Sequence, residues 1–162
     1  MNKLKKILLV FGLLSGWLSF AQNQSTEAIN ALMNNWHRAA AVADADIFFG
    51  SMTADAHYIG TDETEDWTRD EMRIWAKEIF KRDSAWDFKT IKRNIYLAKD
   101  DKLGWFDETL DTWMGVCRGS GVVVLTEEGW RIKHYVLSVA VPNSVIDDYI
   151  NIYKRQKSVS KP

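Results

Sequence analysis

Three segments carry ionisable and aromatic side chains where a purely structural strand would carry valine and isoleucine. They are Gly104-Trp105-Phe106-Asp107-Glu108, Cys117-Arg118-Gly119-Ser120-Gly121 and Gly129-Trp130-Arg131-Ile132-Lys133-His134-Tyr135. Alternate residues of a strand share a face, so Asp107 stands with Leu103, Trp105, Thr109, Asp111 and Trp113, and Glu108 with Phe106 and Leu110. A carboxyl group buried among leucine and tryptophan is held protonated to higher pH, the condition for acid or base work near neutrality. Asp107 is therefore the first catalytic candidate. The alternative is an exposed face on which Asp107 pairs with Arg118 or Arg93. His134, in one row with Trp130, Ile132, Val136 and Ser138, is the second catalytic candidate, with a satisfied structural histidine as its alternative. Arg118 is the one cation of its strand and suits either a ligand carboxylate or the neutralisation of Asp107.

Beyond residue 21 the chain carries seven tryptophans, and aromatic residues beyond what a core needs line ligand pockets. Tyr58, Trp67, Trp86 and Trp105 are the ones expected at a cavity wall or mouth. His57, Asp62 and Glu65 lie close in sequence, but their spacing matches no metal signature, so neither a metal nor a cofactor is expected. The absence of a glycine-rich phosphate loop, a CxxC pair and a serine elbow leaves nucleotide, redox and serine-hydrolase chemistry without support. Cys117, the only cysteine, has no disulfide partner in the chain and reads as a small apolar packing group.

The elements that must position these residues can be read from periodicity. Ser25 is placed to cap a first helix whose apolar residues Ile29, Leu32, Met33, Trp36, Ala39 and Ala40 recur at spacings of three and four. A second short helix, 47–52, precedes a strand ending at Gly60, an acidic loop over 61–66, and a third helix opened by a Thr68/Glu71 capping box. From Trp86 the period changes to two. Four strands follow, ending near Ala98, Thr112, Thr126 and Val141, joined by turns at 99–102, near Gly115 and at 127–129. Parity leaves open which face of this sheet is concave, because a bulge at Gly119 to Gly121 would flip all that follows. Helices followed by an antiparallel meander describe an α+β domain over residues 22–156, with a helix over part of the segment after Asn143 and a disordered tail at 157–162.

Lys3, Lys5 and Lys6, an apolar run from Ile7 to Leu18 and Ser19-Phe20-Ala21 form a signal-peptide pattern with cleavage after Ala21. The run is short for a spanning helix, which needs about 20 apolar residues, so no stable membrane anchor is expected after cleavage and the protein is placed in the periplasm or outside the cell. Without the leader the chain has 18 basic against 22 acidic residues, which disfavours nucleic acid as a partner.

Tyr58-Ile59-Gly60-Thr61-Asp62-Glu63-Thr64-Glu65-Asp66-Trp67-Thr68, Trp105-Phe106-Asp107-Glu108, Arg118-Gly119-Ser120-Gly121 and Tyr135-Val136-Leu137-Ser138, in this order, resemble the SnoaL-like group of the nuclear transport factor 2-like superfamily. The resemblance implies a cone, a strongly bent antiparallel sheet wrapped around N-terminal helices with a cavity between them. It implies a small-molecule ligand and a homodimer formed through the outer sheet face. It also implies, for the members that are enzymes, acid/base chemistry of isomerase, cyclase or dehydratase type by an aspartate with a nearby histidine. The alternative is a non-catalytic association or ligand-binding module, since fold does not dictate reaction.

Overall fold

The computed structural model describes residues 24–159; the signal-peptide expectation for residues 1–21 lies outside them. Helix α1 spans 24–41 and is already helical ahead of Ser25, so Ser25 is not its cap. Its stripe forms as the spacing predicts, with Ile29, Met33, Trp36, Ala39 and Ala40 buried. Helix α2 (Ala45–Gly50) is capped by Asp44, whose side chain accepts from the Ile47 amide. Strand β1 (Met52–Ile59) is longer than the sequence suggests. After the acidic loop come β2 (Asp66–Thr68) and α3 (Arg69–Trp75), which begins with the reciprocal Thr68/Glu71 capping box and continues as a 3-10 turn, Ala76–Lys81.

Strands β3 (Lys89–Leu97), β4 (Leu103–Thr112), β5 (Gly115–Thr126) and β6 (Gly129–Val139) form the antiparallel meander. The two later hairpins use one device. Gly115 (φ 90°) and Gly129 (φ 103°) take the left-handed conformation that glycine permits. In each, a threonine hydroxyl, of Thr112 or Thr126, donates to the glycine carbonyl and accepts an amide of the turn.

The sheet has six strands rather than four, in the order β2-β1-β6-β5-β4-β3. Strand β1 runs parallel to β6, placing Tyr58 beside Tyr135. No hairpin joins these two strands, so local sequence gives no sign that they pair. Helix α4 (Ile146–Val159) follows a 3-10 turn at Asn143–Val145 and extends past 157, where the sequence suggests a disordered tail. Lysine, arginine and glutamine in that stretch are good helix formers. No helix of the described residues is long and apolar enough to cross a membrane.

Candidate functional site

Strand β4 decides which sheet face is concave. Gly104, Phe106, Glu108 and Leu110 are buried beneath the helices, while Trp105, Asp107 and Asp111 are exposed. Asp107, expected in the cavity, lies on the outer face, where the Asn94 side-chain amide donates to its Oδ1 at 2.9 Å. Trp105 and Arg118 are on that face too, and Trp105 stacks on Tyr96 at 5.7 Å. His134 joins them for a reason parity alone cannot supply. The register shifts between Val122 and Val123, whose partners are His134 and Ile132, so Lys133 is an extra residue in β6. The bulge separates His134 from Trp130 and Ile132 and sends Tyr135 and Leu137 inward in its place. Asp107, Arg118, Trp105 and His134 thus share one face, as the alternation argument requires, but it is the face away from the helices. No ion pair joins Asp107 to Arg118 or Arg93 among the described residues.

The inward acid is Glu108, 2% exposed. Its Oε1 accepts from His37 Nε2 at 2.8 Å and from the Tyr135 hydroxyl at 2.9 Å. Arg93 reaches its Oε2 through Nε and Nη2, each at 2.8 Å. An ionised carboxylate only accepts, so His37 carries its proton on Nε2. Burial opposes the anion, but the hydrogen bond and charge of His37 and the charge of Arg93 outweigh it and hold the carboxyl below its ordinary value. Arg93 Nη1 also donates to the side-chain oxygens of Asn30 and Asn34, each at 2.7 Å and one turn apart on α1. The cluster therefore fastens α1 to β3, β4 and β6. All four acceptor sites of the carboxylate are filled, which suits a structural clamp and leaves nothing for a substrate.

The open space lies elsewhere. A pocket of about 320 Å³ opens between the β1–β2 loop, α3 with its 3-10 turn, the segment leading into β3, and the β4–β5 turn. Tyr58, Trp67 and Trp86 line it; Trp75 and Trp113 complete the aromatic wall, and Met114, Leu137 and Met72 add apolar surface. Trp67 stacks on Trp75 at 4.5 Å, and Tyr58 stacks on Tyr135 at 5.5 Å. Trp86 is held edge-on by Phe48 and Phe80 at 5.6 and 5.4 Å. Stacked side chains present a preformed flat surface at small entropic cost.

The polar groups in this wall are few. Tyr58 is 5% exposed, and its hydroxyl makes no hydrogen bond to the described residues. Burial, together with the nearby Glu65 carboxylate and Cys117 thiol, pushes the phenol above its usual value, so it stays a donor at all physiological pH. Glu65 is half-buried and held by the loop: the Gly60 amide donates to its carbonyl at 2.8 Å and the Asp62 amide to its Oε2 at 3.2 Å. Gly60 has no side chain because the Glu65 carboxylate occupies that space; an added Cβ would collide with Oε2 and lie 2.9 Å from the Glu65 Cβ. Arg82 also lines the opening. His57 pairs with Asp66 at 3.3 Å on the exposed side of β1, away from Glu65, and no group of three metal-binding side chains occurs among the described residues.

A model of the SnoaL-like domain matches residues 29–142. The chain belongs to the SnoaL-like family. Among solved structures, a proposed aromatic ring hydroxylase from Novosphingobium aromaticivorans superposes with a TM-score of 0.62 at 17% identity, covering 74% of this chain and 91% of that one. An NTF2-like protein from Pseudomonas putida KT2440 does so with 0.61 at 10% identity, covering 76% and 92%. A proposed ketosteroid isomerase from Parabacteroides distasonis gives 0.56 at 17% identity, covering 70% and 86%. No curated protein sequence matches. At these identities the likeness is one of fold, and the SnoaL-like cone is that fold.

Reasoning from sequence missed His37, Arg93 and Glu108 as one unit and Trp75, Trp113 and Glu65 as pocket residues. A signal for the first was present: Glu108 alternates with Phe106 and Leu110, the more apolar row of β4.

Proposed function

We propose that this SnoaL-like domain binds a small, largely apolar or aromatic molecule in the pocket lined by Tyr58, Trp67, Trp75, Trp86 and Trp113. The observation that carries this reading is the meeting of that aromatic wall around one open space, with a Tyr58 hydroxyl in it that makes no hydrogen bond to the described residues. A phenol hydroxyl donates one hydrogen bond, and a ligand oxygen in this space can accept it. If the ligand is turned over, proton transfer falls to Glu65 as base with Tyr58 as donor, because Asp107 and His134 face away and Glu108 is sealed. Export after cleavage at Ala21 is part of the proposal; the exported protein should have the mass of a chain beginning at Gln22. Native mass spectrometry of protein purified from its own cells should show an added mass of a few hundred daltons that is lost in Trp67→Ala. An identical unliganded mass for both would count against the reading.

A second reading concerns association. Trp105 and Tyr96 are each 44% exposed on the outer face, with Leu103 and Val116 comparably open. Apolar residues gathered on one sheet face favour a two-fold homodimer. Light scattering should give twice the chain mass, and Trp105→Glu should give the monomer. A monomeric wild type at high micromolar concentration would remove this reading and leave the pocket reading intact.

A further inference from the structure

We propose that the ligand of this pocket is an organic ammonium cation, quaternary or otherwise permanently charged, held against the indole faces and paired with Glu65. The inference rests on the pocket reading above and narrows it to one chemical class.

Two independent observations converge on a cation. The first is the wall itself. Trp67, Trp75, Trp86 and Trp113 come from four separate segments and meet around one space. The negative face of an aromatic ring attracts a cation, and tryptophan does so best. The second is charge. Glu65 is half-buried in the wall, where no cationic side chain pairs with it among the described residues; its Oε2 accepts only the Asp62 amide. A neutral ligand would strip water from this carboxylate and give nothing in return. An ammonium group would supply the countercharge.

The loop carrying Glu65 adds to the field, since Asp62, Glu63 and Asp66 flank it. Asp66 is hydrogen-bonded to the His57 ring, and Asp62 is satisfied by the amide and hydroxyl of Thr64. One cation, Arg82, lines the pocket; it is exposed, and it belongs to the segment after the 3-10 turn rather than to the acidic loop. Its charge opposes a bound cation, which gives the proposal a control of opposite sign. The Tyr58 hydroxyl is then free to take an oxygen elsewhere on the ligand.

The test uses two probes of one shape, (4-hydroxyphenyl)trimethylammonium and 4-tert-butylphenol, titrated calorimetrically into the purified protein. The cation should bind about tenfold more tightly, the equivalent of roughly 1.4 kcal/mol. Glu65→Gln should abolish that preference, weakening the cation while the phenol binds as tightly as before or more tightly, and Arg82→Gln should leave cation binding equal or stronger. Equal affinities in the wild type, or tighter binding of the phenol, would overturn the cation proposal and leave the pocket reading standing. Binding of neither probe would overturn both.

Discussion

Replacing Glu108 by alanine should cost about 3–5 kcal/mol of unfolding free energy, because it leaves the buried guanidinium of Arg93 without its countercharge. The side chain of Arg93 is 3% exposed, and that of Glu108 is fully buried. At roughly 3–4 °C per kcal/mol for a domain of this size, the midpoint of thermal unfolding should fall by about 10–20 °C. Asp107→Ala, one residue away on the outer face, should stay within about 1 kcal/mol, since it removes one exposed hydrogen bond to Asn94. Equal effects of the two substitutions would refute the assignment of faces. The same cluster sets an acid limit. The folded-state carboxyl of Glu108 titrates below its ordinary value, 4.5. Its contribution is therefore present above the unfolded-state value and is lost as pH falls through the folded one. Denaturant titrations between pH 7 and pH 3 should show this loss in the wild type and a shallower slope in Glu108→Gln.

The second large effect is steric. The Cβ of an alanine at Gly121 would collide with the backbone carbonyl of His134 and approach Phe106 to 2.9 Å. At Gly119 it would strike the Tyr135 hydroxyl and lie 2.9 Å from the Glu108 Cγ, inside the clamp. Each substitution should cost about 2–3 kcal/mol, in the upper part of the range for overpacking. Gly121→Ala should be the worse of the two, because a backbone carbonyl yields less readily than the far end of a tyrosine. Gly50→Ala serves as the comparator. Nothing lies within 4 Å of its new Cβ, and the position is helical, so it should be neutral or slightly stabilising. Chemical denaturation of the three variants measures the order directly. A Gly121→Ala protein as stable as the wild type would mean that β5 and β6 are not packed as described.

The particular residues show why the fold was easier to read than the site. The stripe of α1, the Thr68/Glu71 capping box and the four meander strands follow from periods and caps that act over a few residues. The pairing of β1 with β6 has no such local origin, since it depends on the register of strands some 75 positions apart, as in His57 opposite His134. The site depends on facts of the same kind. Asp107 and Glu108 are adjacent acids that differ only in which face the helices cover. The apolar neighbours of Glu108 pointed inward, but Trp105 beside Asp107 drew attention to the wrong row. His134 was displaced by a single extra residue at Lys133, which no periodicity marks. Tyr58, Trp67 and Trp86, which line the pocket, were named with Trp105 on the excess of aromatic residues alone, a signal that does not distinguish the pocket from the outer face where Trp105 lies. Their partners Trp75 and Trp113 were not, since the first reads as part of a helix stripe and the second as the end of a strand.

Fluorescence titration with the neutral probe N-phenyl-1-naphthylamine, run on the wild type, Trp67→Ala and Asp107→Asn, separates the two faces of the sheet. Loss of one wall of the pocket should weaken binding in Trp67→Ala by roughly fivefold, equivalent to about 1 kcal/mol, while Asp107→Asn should bind as the wild type does. Weakened binding in Asp107→Asn with Trp67→Ala unchanged would place the site on the outer face and contradict the account.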